Sequence, residues 1–305
     1  MQHFTDELAQ AVEQRGNPVI VGLDPRWQLL PVSLAQGDSN DLNVRAAAYE
    51  KFCCEVIDVV APLVPAVKPQ SAFFEACGPA GSTALYNVMA HARDKGLLVV
   101  LDVKRGDIGS TAEAYADGML GRESAWGADA VTVSPYLGDD SLHPFVEIAQ
   151  QRAAGLFVLV KTSNPGSGTL QDQTLATGPV YRHVADLVER LAEQTLGQRG
   201  YGSVGAVVGA TYPAQLAELR SAMPHTWFLV PGFGSQGGTA QDVAAAFDQR
   251  GLGAVVNSSR GIIFAHRRDE YRDRFGEPRW QEAVDASTRE MIAQLRAETP
   301  AGNLG

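Results

Sequence analysis

Apolar residues in this chain gather into short, dense runs. They are "VIVGL" (19–23), "LVPAVK" (63–68), "LLVVLDVK" (97–104), "DAVTVS" (129–134), "LFVLVK" (156–161), "SVGAVVG" (203–209), "TWFLV" (226–230) and "GAVVN" (253–257). Near-continuous Val, Leu and Ile over so few residues suits parallel strands covered on both faces. Segments with helical apolar spacing lie between them, for example "NVRAAAYEKFCCEVIDVV" (43–60) and "STAEAYADGMLGRESAW" (110–126). The first residues, "MQHFTDELAQAVEQRG", read as an acid-containing amphipathic helix and not as a signal peptide. Eight strand-then-helix units predict an α/β protein, a closed (β/α)8 TIM barrel forming one domain over residues 1–305. An open dinucleotide-binding sheet is the alternative. It is weakened by "VIVGLDPRW", which lacks the glycine fingerprint after the first strand.

Two connections are long: residues 24–42 and residues 162–177. Both follow predicted strands, so in a barrel both lie on the carboxyl-end face, where active sites are built. Their Gly, Ser, Asn and Pro content makes them candidate lids.

Composition narrows the function classes. The 305 residues are 45% hydrophobic and 20% charged, with a formal net charge of -10. Such a surface argues against nucleic acid or an anionic membrane as partner, so any anionic ligand needs a local cationic pocket. No apolar run approaches membrane-spanning length. Three cysteines, Cys53, Cys54 and Cys77, have no zinc-type spacing and read as reduced thiols of a cytoplasmic protein. The six histidines are scattered, and no metal is expected.

The chemistry concentrates where the third run ends, in "LDVKRGDIGSTAEAYA" (101–116). Asp102 and Lys104 are two apart on a strand and share a face. Asp107 follows from the loop, and Lys68 ends the neighbouring strand. One Asp/Lys pair at a strand end is usually structural. Four charges on adjacent strand ends cost too much desolvation to be kept for stability alone, which favours a catalytic Lys–Asp–Lys–Asp cluster. Two glycine-rich stretches strengthen that reading. "PGFGSQGG" (231–238) follows the seventh run and "NSSRGI" (257–262) the eighth. Barrels often bind phosphate in these two loops through backbone N–H groups, and Arg260 adds a planar, bidentate cation.

These blocks, with "GLDP" after the first strand and the lysine of "AVKPQSAFFE", resemble the orotidine 5'-phosphate decarboxylase family in its longer, bacterial-type branch. The order and spacing extend over nearly the whole chain. The Asp-x-Lys-x-x-Asp pattern alone is less specific, since a magnesium-dependent sugar-phosphate decarboxylase is similar there. The resemblance implies decarboxylation of orotidine 5'-monophosphate to UMP without a metal or other cofactor. Lys104 would stabilise and protonate the carbanion at C6. Asp102 would lie beside the departing carboxylate, and Lys68 would hold the ribose and order the aspartates. Asp107 and Thr111 would enter the site from the other subunit of a homodimer. Asp24 would accept a ribose hydroxyl, and Ser163, in "TSNPG", would read the base edge. Gln236 and Arg260 would grip the phosphate, with Gly232, Gly234, Ser259 and Gly261 lining the same loops.

Other residues carry weaker signals. Lys161 ends the fifth strand and could serve as a Schiff-base lysine, but nothing nearby in sequence would depress its pKa. His143 before Pro144 reads as a helix start, and Glu75 as a helix cap. Trp27, Phe73 and Phe74 read as core or lid packing, and Arg26 and Arg105 as solvated or locally paired.

Overall fold

The eight apolar runs close into one parallel barrel. The computed structural model describes residues 3–234 and 237–304. Its barrel strands are β1 (Val19–Leu23), β2 (Ala66–Pro69), β3 (Leu98–Arg105), β4 (Ala130–Val133), β5 (Gly155–Lys161), β6 (Val204–Val208), β7 (Phe228–Val230) and β8 (Ala254–Ser258). Each pairs with its sequence neighbours, and β1 closes the ring on β8 with Ile20 opposite Asn257. Every residue of β1, β2, β4, β6, β7 and β8 is buried. That is why these strands read as unbroken apolar runs and not as alternating ones.

The N-terminal helix Phe4–Arg15 caps the amino-end face. Its Phe4 ring meets Phe157 edge-on, with centroids 6.2 Å apart. Helix Leu42–Val60 packs against helices Gly78–Asp94 and Trp280–Glu298, its start capped by the Asp41 carboxylate, which accepts from the N–H groups of Asn43 and Val44. The segment 110–126 departs from expectation. Its helix is Gly109–Met119, and the chain then turns through Gly121. The long 162–177 connection also carries a small antiparallel ladder, Thr174–Leu175 with Gly178–Pro179. No helix among the described residues is long and apolar enough to cross a membrane.

One buried histidine is expected to lower stability on the acid side. His266 is 2% exposed, and neither ring nitrogen has a hydrogen-bond partner among the described residues. It lies edge-on to Phe264 and Trp280. Burial, and then the Arg267 guanidinium, push its pKa down to about 4. The unfolded chain binds this proton near pH 6.5 and the folded chain does not, so His266 is neutral and harmless above that pH. Stability then falls as pH drops from about 6.5 to about 4, by at most about 3 kcal/mol. We predict that His266→Phe flattens this part of the profile. The check is urea unfolding of both proteins at pH 7.5 and 4.5; equal pH dependence would contradict it.

Candidate active site

Three charged side chains meet at the carboxyl ends of β2 and β3. Lys68 is 5% exposed and Asp102 6% exposed. Lys68 Nζ donates to Asp102 Oδ2 at 2.7 Å, and Lys104 Nζ donates to Oδ1 at 2.6 Å. Two neutral donors complete the set: Gln70 Nε2 to Oδ2 at 2.9 Å and Thr132 Oγ1 to Oδ1 at 2.8 Å. Asp102 therefore accepts four hydrogen bonds, the full capacity of a carboxylate. Burial would raise its pKa, but the Lys68 and Lys104 ammonium groups hold it far below the ordinary carboxylate range. For Lys68, burial works against the charge, yet Asp102 and Asp24 more than offset it and raise its pKa. The side chain of Lys104 is 47% exposed, so its ammonium reaches from this buried anion into open space.

That space is a cavity of about 570 Å³ in the barrel mouth, a size suited to a small organic ligand. Asp24, Lys68, Asp102, Lys104 and Ser163 all line it. A recess of about 100 Å³ shares Asp24, Pro231 and Asn257 with it and extends to Gly232, Ser259 and Arg260. The recess bordered by Arg260 is thus joined to the cavity of the Lys–Asp–Lys charges through Asp24 and Asn257. Gly234 and Gly261 line a neighbouring cavity that Arg260 also borders. Gly232 and Gly234 have φ of 98° and 69°, backbone that side-chain-bearing residues rarely adopt. Ser163 is seated against Gly209, where an added Cβ would lie 2.8 Å from the Ser163 Cα. Ser259 Oγ donates to the Gly22 carbonyl and ties β8 to β1.

Arg260 is exposed, and its guanidinium makes no hydrogen bond or ion pair among the described residues. Gln236 lies outside the described residues. Asp107 and Thr111 are not brought to this cavity by their own chain. The Asp107 Oδ1 accepts from the Ile108 N–H at 2.8 Å, and Thr111 is exposed on the first turn of helix Gly109–Met119. Within one chain the cluster is Lys–Asp–Lys.

Several residues behave differently from their sequence reading. Glu75 does not cap a helix; its carboxylate takes Arg105 Nη2 at 2.6 Å. Lys161 is fully buried, bonded to Asp172 Oδ1 at 2.6 Å and lying 4.4 Å from the Tyr212 ring centroid. It anchors the long 162–177 connection over the cavity and does not project into it. Glu189, Glu193 and His225 approach one another, but the Glu189 carboxylate already serves the His225 N–H, His225 Nδ1 and Thr226 Oγ1. That set needs no ion.

Three site residues were not anticipated: Gln70, Thr132 and Asn257. Asn257 is 8% exposed, and its Oδ1 is buried without a partner, as is Asp24 Oδ1. Two orphaned acceptors bordering one cavity call for a ligand that donates. The asparagine of "NSSRGI" was the available signal, since it stands on the same inward row that ends at the phosphate-type loop.

The chain matches the family model described as Orotidine 5'-phosphate decarboxylase / HUMPS family over residues 17–273. It is similar to an orotidine 5'-phosphate decarboxylase of Rhodopirellula baltica, 56% identical over 97% of this chain and 100% of that one. It is 44% identical to one of Deinococcus radiodurans over 87% of this chain and 92% of that one. Its fold is similar to the solved structure of a Leishmania donovani OMP decarboxylase, with a TM-score of 0.75 and 33% identity over 97% of this chain and 98% of that one.

Proposed function

The chain belongs to the orotidine 5'-phosphate decarboxylase family and is a carboxy-lyase acting on orotidine 5'-monophosphate in pyrimidine biosynthesis, and from that premise we propose that Lys68, Asp102 and Lys104 perform the reaction without a metal ion. The observation that carries the reading is the saturated, buried Asp102 carboxylate held between two ammonium groups, one of which reaches into the cavity.

The substrate carboxylate on C6 lies beside Asp102. The C6–carboxylate bond breaks, carbon dioxide leaves, and the electron pair stays on C6, where no adjacent carbonyl can accept it. The Lys104 ammonium stabilises that charge and then gives its proton to C6, yielding UMP. The neutral lysine recovers a proton from solvent. A fixed ammonium at that point interacts most strongly with charge present only in the transition state. Lys104 can hold still because its own partner, Asp102, is held by three other donors. The same saturation leaves no Asp102 lone pair for a metal.

Asp24 and Asn257 meet the ribose hydroxyls, which supply the missing donors for their two orphaned oxygens. Ser163 faces the base from across the cavity. Arg260, with Gln236 and the loops holding Gly232, Gly234, Ser259 and Gly261, takes the phosphate. Binding energy from that remote group helps orient the ring. Asp107 and Thr111 complete the site from the second subunit of a homodimer, and the three free thiols suit the cytoplasm.

The direct test is loss of orotidine 5'-monophosphate absorbance with purified protein, with and without EDTA. Turnover at an unchanged rate in EDTA is expected. Absent turnover, or turnover abolished by EDTA, overturns the reading. Arg260→Ala should raise KM by about 100-fold or more, the scale of a lost charge-assisted bidentate contact. In the wild type, added phosphite dianion should partly restore turnover of the phosphate-free nucleoside. An unchanged KM in the variant would put the phosphate elsewhere.

A further inference from the structure

We propose that Thr132 is a positioning residue that sets the Lys104 ammonium from both ends. The inference rests on the reading above, in which Lys104 is the proton donor, and goes beyond it by naming what aims that donor. Thr132 sits on β4 and is 1% exposed. Its hydroxyl accepts from the Val103 N–H at 3.1 Å and the Lys104 N–H at 2.9 Å, and donates to Asp102 Oδ1 at 2.8 Å. A hydroxyl has one donor and two acceptor lone pairs, so this one is fully used, and every bond goes to the Asp102–Lys104 stretch.

The backbone there is irregular. Leu101 pairs with Val131, but Arg105 pairs with Val133, so β3 bulges between them. Lys104 sits in the bulge with φ of 45°, and among the described non-glycine residues only Ala153 shares a positive φ. Ala153 ends a helix, an ordinary place for that conformation. Lys104 lies within a strand, where nothing local favours it. A strained residue persists where its surroundings over-determine it, and such residues cluster at functional sites. Bulges beside active sites re-aim side chains. Here the Thr132 hydroxyl holds the two bulge N–H groups that fix where the Lys104 side chain leaves the backbone. The same oxygen donates to the carboxylate oxygen that fixes where its Nζ ends. The second anchor is short: Lys104 Nζ lies 2.6 Å from that oxygen.

Valine has the shape of threonine without the hydroxyl. Thr132→Val therefore leaves two N–H groups and one carboxylate lone pair without their partner and frees Lys104 at both ends. Misplacement of a reacting group by about 1 Å costs on the order of 100-fold in rate. Steady-state kinetics on the full-length protein should give Thr132→Val a kcat about 100-fold below wild type with KM changed less than about threefold. Thr132→Ser, which keeps the hydroxyl, should return kcat to within about threefold of wild type. Lost packing alone would lower the melting temperature without splitting kcat from KM at equal folded protein, and serine would not rescue it. Should Thr132→Val fail to fold, Thr132→Ser and Thr132→Cys are compared instead. Serine well above cysteine supports the inference, and equal rates overturn it. A Thr132→Val kcat within threefold of wild type, or a serine variant as impaired as valine, also overturns it. Lys104→Ala is the companion control. If it is dead while Thr132→Val stays active, only this inference falls. If it stays active, the proton-donor reading falls as well.

Discussion

Lys104→Ala is expected to lose at least about four orders of magnitude in kcat and to keep its fold. The loss follows from what the ammonium alone supplies. It is the one cation of the cluster that reaches well into the cavity, with a side chain 47% exposed against 6% for Lys68. Alanine removes both the stabilising charge at C6 and the proton that ends the reaction, and no other described residue bonded to Asp102 can replace both. Four decades correspond to about 5.5 kcal/mol of barrier, a reasonable share for preorganised electrostatics in a closed site. The fold should survive because the side chain does not pack in the core, and because Asp102 keeps Lys68, Gln70 and Thr132 as partners. Alanine also meets the positive φ at this position at no greater cost than lysine. Circular dichroism and a thermal melt check the fold, and the absorbance assay checks the rate. A variant retaining a tenth of wild-type kcat would remove Lys104 from the proton-donor role, since that loss is only about 1.4 kcal/mol.

The barrel was legible because burial on both faces makes its strands continuous in Val, Leu and Ile, and each of the eight runs overlaps an observed strand. Their carboxyl ends were legible because charge interrupts those runs at Lys68 and Asp102. Less visible was anything made by tertiary contact between ordinary residues. Thr132 stands in "DAVTVS" as one more β-branched strand residue, and only the bulge on the neighbouring strand gives its hydroxyl work. Gln70 gains a role only because β2 and β3 lie side by side, which brings it to Asp102. Arg105 and Glu75, 30 residues apart, pair for the same reason. The short ladder at 174–179 has two residues per strand, too few to carry a periodic signal.

Mixing two inactive variants should restore activity. The basis is the placement of Asp107. It follows the end of β3, yet its carboxylate turns to the neighbouring Ile108 N–H and does not reach the cavity of its own chain. Past the ends of the neighbouring strands β3 and β4, Ile108, Tyr136 and Leu137 are exposed apolar side chains, 56%, 75% and 47% exposed. Exposed apolar side chains after the same two strands as an unused carboxylate fit a surface covered by a second copy, which would carry Asp107 into the partner's site with Thr111. Lys104→Ala and Asp107→Ala should then each be inactive alone. In a heterodimer of the two variants, one site receives the Lys104→Ala lesion from one chain and the Asp107→Ala lesion from the other. The second site is built from the unaltered Lys104 and the unaltered Asp107 and carries neither lesion. After subunit exchange, each heterodimer should recover about half of wild-type activity, one intact site of two. If Asp107 serves its own chain, both sites of the heterodimer keep one lesion and the mixture stays inactive. Native mass spectrometry establishes that heterodimers have formed. Heterodimers without activity would reject the shared site, and a strictly monomeric wild type that still turns over would reject it more directly.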